Sequence, residues 1–224
     1  MAAFTPMMQQ YLDIKNQYKD CIMFYRVGDF YEMFFDDALT ASKALEITLT
    51  GKDCGQEERA PMCGVPYHAY EVYANRLIEQ GYKVAICEQV EDPKQAKGLV
   101  KRDVIQIITP GTNLSTQNLK EGQNNYIMSI YAFDDAYGIA VADITTGEAR
   151  TCQVTSREKC KDEINKYQPS EIICNETFLC QDWDWDYYRE RLHITISAID
   201  DWHFDEDQAT TCLLKHFKVQ SLEA

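Results

Sequence analysis

Apolar positions along the first half of the chain change period several times, and each change marks an element. Behind Thr5-Pro6, a hydroxyl cap followed by the residue best tolerated at the first helical position, Met8, Tyr11, Leu12 and Ile14 supply an apolar face, which predicts a helix over 6–20. Residues 21–27 are then rich in β-formers, Gly28-Asp29 turns the chain, and residues 30–35 return, so a hairpin-like strand pair is expected. Asp36 and Asp37 suit the positive end of a helix running to about residue 45. A short strand over 46–50, a polar loop over 51–60 and a strand-to-helix loop over 62–68 follow. Tyr70, Val72, Tyr73, Leu77 and Ile78 outline a further helix that ends before Gly81, and residues 82–90 and 104–109 read as strands. Between those strands lies a loop over 92–102.

Residues 111–125 carry Asn, Gln, Ser and Thr with almost no apolar side chains, which is the composition of a linker. Past it, three strands at hairpin spacing are expected over 126–133, 137–144 and 148–154, then a helix over 156–167 and a strand over 171–174. Three hairpin strands, helix, strand, helix is the order of a ribonuclease H-like domain. The expected fold class is therefore α/β (mixed α+β): a mixed-sheet domain over 1–112, a linker over 113–125 and a ribonuclease H-like domain over 126–224.

A chain of 224 residues with 45% hydrophobic composition can bury real cores. No apolar run approaches the roughly 18 residues that cross a bilayer, and the amino terminus shows no signal-peptide pattern, so a cytoplasmic place without membrane is expected. Nine cysteines, an odd number without Cys-x-x-Cys spacing, point to free thiols in a reducing compartment, with neither a disulfide framework nor a zinc site. The net charge of −14 is unusual for a protein that grips phosphates, but it divides unevenly: residues 1–124 carry −4 and residues 125–224 carry −10. Such a charge predicts that any binding of a polyanion by this chain on its own is weak.

The chemistry of most interest is in Arg26-Val27-Gly28-Asp29-Phe30-Tyr31-Glu32-Met33-Phe34. In an extended segment residues i and i+2 point the same way, so a strand facing DNA would present Phe30 as an apolar wedge and Glu32 as an acceptor beside it. Intercalation costs a few kcal/mol of unstacking, and aromatic stacking returns about 1–3 kcal/mol per base, so discrimination comes from the duplex: a mispaired base is already weakly held. This run, together with Thr5-Pro6-Met7-Met8-Gln9-Gln10-Tyr11, Met62-Cys63-Gly64-Val65-Pro66-Tyr67-His68, Val84-Ala85-Ile86-Cys87-Glu88-Gln89 and Thr109-Pro110-Gly111-Thr112, resembles the amino-terminal part of the MutS family of DNA mismatch repair proteins in order and interval. The resemblance spans essentially the whole chain and is strongest over 5–114. It implies that Phe30 wedges into the duplex at the mismatch and that Glu32 contacts the mispaired base. It also implies a connector domain of ribonuclease H-like fold that contacts a MutL-type repair factor, expected to be truncated here because residues 213–224 stop without the closing elements of the family, and a homodimer in the full-length protein. ATP and magnesium are expected there too, but no cofactor in this chain: it has no Gly-x-x-x-x-Gly-Lys-Ser/Thr run, and Gly51-Lys52-Asp53 lacks the hydroxyl that would hold magnesium.

Around the Phe30–Glu32 pair, Met62, Gly64 and Pro66 supply a thioether, a glycine and a fixed proline suited to lie against a minor groove, and Lys94, Lys97, Lys101 and Arg102 form the strongest basic cluster, a candidate phosphate contact. Two rival functions stay open at this point. A ribonuclease H-like sheet invites a magnesium-dependent nuclease, with Asp143, Glu148 and Glu171 as carboxylates that would have to converge on ions about 4 Å apart. Alternatively, the acidic second half docks a protein partner.

Overall fold

The computed structural model describes residues 3–91, 98–113 and 124–222, and the chain divides into two compact units, Met1–Asn118 and Leu119–Ala224. In the first unit, strands β1 (Cys21–Val27), β2 (Phe30–Phe34), β3 (Thr50–Lys52), β4 (Ala60–Pro66), β5 (Lys83–Gln89) and β6 (Arg102–Ile108) form a six-stranded sheet in the order β3-β4-β2-β1-β5-β6. Only β1 and β5 pair in parallel; every other neighbour is antiparallel. Helix α1 (Pro6–Lys15) lies on one face, where Met8 and Tyr11 pack with Met23, Tyr25, Phe34 and Cys87. On the other face α2 (Phe35–Leu45) and α3 (Tyr70–Glu79) bring Ala38, Ala41, Leu45, Ala74 and Leu77 against Phe24, Tyr31, Met33, Val65 and Ile86.

Helix α1 begins as its sequence dictates, with the Thr5 hydroxyl accepting from the Met8 amide at 3.4 Å and Pro6 inside the first turn. It stops at Lys15, short of the expected residue 20, because the Lys15 ammonium turns back to the carbonyls of Tyr18, Lys19 and Cys21 and to the buried Asp37 carboxylate at 2.9 Å. That ties the helix end to α2. The strand expected over 46–50 is displaced: Glu46 adopts a left-handed conformation (φ 56°) that closes α2, and the strand is Thr50–Lys52.

A larger correction concerns residues 60–66, expected as loop and in fact the long partner of β2. Each β4 residue from Met62 to Pro66 pairs with β2, while Ala60, Pro61 and Met62 pair with β3. The two prolines and Gly64 carry turn composition, but pairing on both sides overrides it, as tertiary context commonly does for strands. Arg102, expected at the end of a loop, instead opens β6.

The second unit contains β7 (Tyr126–Phe133), β8 (Ala136–Asp143), β9 (Glu148–Val154), α4 (Arg157–Tyr167), β10 (Glu171–Cys174), α5 (Glu176–Leu179), β11 (Thr195–Ala198) and α6 (Glu206–Phe217). Its sheet runs β11-β10-β7-β8-β9, with β7, β8 and β9 antiparallel and β10 and β11 parallel to β7, which is the ribonuclease H-like arrangement. Met128, Ile130, Ile139, Val141 and Ile172 meet Cys160 and Ile164 of α4 and the aromatic group Phe178, Trp183 and Tyr188. No residue of α6 is buried.

Candidate nucleic-acid interface

Strands β1 and β2 are joined by two residues, with Val27 opposite Phe30 across the ladder. Gly28 takes φ +57° there, and a Cβ at that position would touch nothing within 4 Å, so glycine is favoured by backbone conformation alone. Phe30 is the first residue of β2 and is 49% exposed; among the described residues no aromatic ring stacks on it.

Paired residues of an antiparallel ladder share a face. Phe30 pairs with Pro66, Glu32 with Gly64 and Phe34 with Met62, so the two groups picked from separate parts of the sequence stand on one face of the sheet. Lys52 joins them, since its partner Ala60 is two residues before Met62 on β4. Helix α1 covers this face at Phe34, Tyr25 and Met62, whereas Phe30 stands clear of that cluster. Met33 and Tyr31, on the opposite side of β2, are fully inside the other core.

Glu32 is ion-paired through Oε2 to the Lys52 ammonium, and both side chains are half-buried, at 14% and 27% exposure. The ammonium also sits 5.7 Å from the Phe34 ring centroid. Beside Glu32, Gly64 leaves the face bare: a Cβ there would lie 3.3 Å from the Tyr31 carbonyl oxygen and 3.7 Å from Glu32 Cγ.

The hairpin is braced from behind. The Arg26 guanidinium lies 3.8 Å above the Tyr67 ring, its Nε donates to the Gly28 carbonyl at 2.6 Å, and it meets Glu88 at 3.3 Å. The Tyr67 amide donates to the Asp29 carbonyl at 3.0 Å, and the Tyr31 hydroxyl donates to Glu88 at 2.7 Å. Burial and that bond to Glu88 push the Tyr31 hydroxyl above its ordinary range, so it stays a donor. Apart from the Arg26–Gly28 bond, neither this brace nor Lys52 is visible in the sequence, because the other partners are distant along the chain.

The basic cluster is not a uniform patch. Lys101 is exposed, while Arg102 is only 8% exposed and turned inward. Its guanidinium donates to the Arg26 carbonyl at 2.7 Å, the Val100 carbonyl at 3.0 Å and Gln10 Oε1 at 3.1 Å, and lies 4.9 Å from the Tyr25 ring centroid. Arg102 is thus a strut between α1, β1 and β6 and is withdrawn as a phosphate contact. Lys94 and Lys97 lie outside the described residues.

In the second unit the carboxylates required for a nuclease do not converge. Asp143 is buried and accepts from the Thr145 amide at 2.8 Å, the Thr145 hydroxyl at 2.6 Å and the Asn125 amide at 3.2 Å. Burial opposes its charge, but these bonds outweigh it and hold the carboxyl below its ordinary range. Glu148 is opposite Asp143 in the ladder and engages Tyr126, Asn124 and Arg150, whereas Glu171 pairs with Ile127, in the row of Ala142, and so belongs to the other face. Among the described residues no group of three His, Cys, Asp or Glu side chains could hold a metal ion.

Two family models match the chain, MutS domain I over residues 5–117 and MutS domain II over residues 125–224. The chain belongs to the MutS family. It is 60% identical to a protein named DNA mismatch repair protein MutS from Lachnoclostridium phytofermentans, over 100% of this chain and 24% of that protein. It is 54% identical to the protein of that name from Acetivibrio thermocellus, over 100% of this chain and 26% of the relative, and 53% identical to that from Ruminiclostridium cellulolyticum, over 99% and 26%. The chain therefore spans about a quarter of the length of these MutS relatives. The nuclease alternative finds no support in these matches.

Proposed function

We propose that the first unit recognises mispaired or unpaired bases in duplex DNA during mismatch repair, with Phe30 as the wedge and Glu32 as the base-contacting group. One observation carries this most directly: Phe30 stands half-exposed at the end of a braced strand, with the Glu32 carboxylate two residues along on the same face. An aromatic of that size is normally buried, and leaving half of it out costs about 1–1.5 kcal/mol of transfer energy, which contact with a base recovers. Pro66 and Gly64 are the flat neighbours that let a groove approach, and Lys101 is the remaining described candidate for a phosphate contact.

On this reading the second unit is a connector that carries out no reaction of its own and contacts a MutL-type factor through its acidic surface. Homodimer formation, ATP and magnesium belong to a protein of the relatives' full length, and the setting is cytoplasmic. The test is Phe30→Ala in such a full-length protein carrying this chain. The ratio of dissociation constants for matched and mispaired duplexes should collapse towards one while weak homoduplex binding survives. An unchanged ratio refutes the wedge.

A further inference from the structure

Resting on the role given to Glu32 above, we propose that Lys52 is the positioning residue for its carboxylate and so sets how selectively the face admits a mispaired base. Lys52 is on β3, separated from β2 by β4, and strand spacing of about 4.8 Å puts two such steps between the backbones. Lys52 is opposite Ala60 and Glu32 opposite Gly64, four residues on along β4, so the two side chains meet on a diagonal across β4 that ends at Gly64, where no side chain stands beside Glu32. The ammonium takes Oε2 and leaves Oε1 with its lone pairs to accept from a base edge. A carboxylate without this partner would be repelled by phosphates and would spread over several rotamers. Held by Lys52, it carries no net charge into the groove and keeps one orientation. A mispaired or unpaired base has donors that its partner no longer occupies, and these satisfy Oε1. A normal pair does not supply them, and the same approach leaves a polar oxygen desolvated without a donor, which is the costly outcome.

The competing role for a lysine on this face is a direct phosphate contact, and the two are separable. In a protein of the relatives' full length carrying this chain, fluorescence anisotropy with matched and mispaired duplexes is measured for K52M, K52R, E32Q and the E32Q/K52M double variant, with thermal unfolding as a control. K52M should lower the matched-to-mispaired ratio of dissociation constants about fivefold, the scale of one ion pair of this exposure. K52R, which keeps the cation, should stay within about twofold of the parent, and K52M should add nothing once E32Q is present. If K52M weakens both duplexes alike, lowers the salt slope by about 0.9 and adds fully to E32Q, Lys52 is a phosphate contact and the proposal is overturned. If E32Q alone leaves the ratio unchanged, the role of Glu32 itself falls, and Lys52 with it; if E32Q lowers the ratio and K52M does not, only the positioning role is lost.

Discussion

Arg102→Met separates a structural arginine from a DNA-binding one more sharply than any other change in the first unit. Methionine keeps most of the stem but removes the donors that reach the Arg26 carbonyl, the Val100 carbonyl and Gln10 Oε1. Two of these acceptors retain another donor: Val100 still receives the Gln10 side-chain amide at 3.2 Å, and Gln10 Oε1 still receives the Tyr25 hydroxyl. The Arg26 carbonyl loses its side-chain donor, at about 1–3 kcal/mol. Loss of the guanidinium over Tyr25 adds about 0.5–2 kcal/mol, and the two remaining charged bonds roughly 1 kcal/mol each. The expected total is about 3.5–7 kcal/mol, a large part of the 5–15 kcal/mol that holds a domain of this kind. Urea unfolding followed by hydrogen exchange of the β1 and β6 amides reads the first unit. Tryptophan fluorescence reads the second alone, because Trp183, Trp185 and Trp202 all fall there, and provides the internal reference. A loss below about 0.5 kcal/mol, together with a salt slope of DNA binding reduced by about 0.9, would show that Arg102 swings out to a phosphate and would refute the strut.

Three further outcomes follow from the same structure. Gly64→Val should destabilise the first unit by about 1–3 kcal/mol, since a branched side chain must enter a space where even Cβ comes within 3.3 Å of a carbonyl oxygen, while Gly64→Ala should stay close to the parent; equal urea midpoints for parent and Val variant would contradict the packing. Because the Asp143 carboxyl is held below its ordinary range, it stabilises the second unit above the unfolded value of about 3.9, and this contribution is lost as pH falls through the lower folded value. Asp143→Asn should therefore cost about 2 kcal/mol at pH 7 and progressively less towards pH 2, a trend that tryptophan-monitored unfolding across pH would expose. Iodoacetamide at pH 8 should modify Cys152, Cys180 and Cys212, which are exposed, well before the buried thiols; burial pushes Cys87 up to about 12 and Cys63 up to about 11, and mass spectrometry finding either labelled as fast as Cys212 would mean the sheet core opens.

What could be read from the chain alone was local. The β1–β2 hairpin was legible because strand signals flank Gly28-Asp29, and the alternation then placed Phe30 and Glu32 on one face, as the structure has them. Asp143, weighed from the sequence as a nuclease carboxylate, is a turn acid whose partner Thr145 is only two residues away. Strand β4 was not, since Pro61, Gly64 and Pro66 mimic a loop until pairing with both β2 and β3 overrides their preference. For the same reason Met62, Gly64 and Pro66 could be suspected but not placed: only the register brings them beside Glu32. Lys52 and Arg102 fail in opposite directions, the first overlooked in a polar stretch and the second expected in solvent. Nothing in a lysine or arginine codon's neighbourhood says whether its charge meets a carboxylate on another strand or water, and Glu32 is 20 residues from Lys52 while Arg26 is 76 from Arg102.

A net charge of −14 becomes compatible with the proposed DNA-facing corner once the charges are followed to their partners. In the first unit Lys15, Arg26, Lys52 and Lys83 are each engaged by a carboxylate, at Asp37, Glu88, Glu32 and Asp20, and Arg102 is turned into the core. These pairs cancel locally, so the field at the hairpin is weaker than the total suggests, and the −10 of residues 125–224 lies in the other unit. Five of the 13 Lys and Arg of residues 1–124 are committed in this way and are not available to displace counterions from a duplex. On the role proposed for Phe30, discrimination at this corner comes from its stacking and from the ease with which a given base step opens, and those are the terms in which a mispaired and a matched duplex differ. A corner rich in free lysines would hold both duplexes tightly and blur that difference.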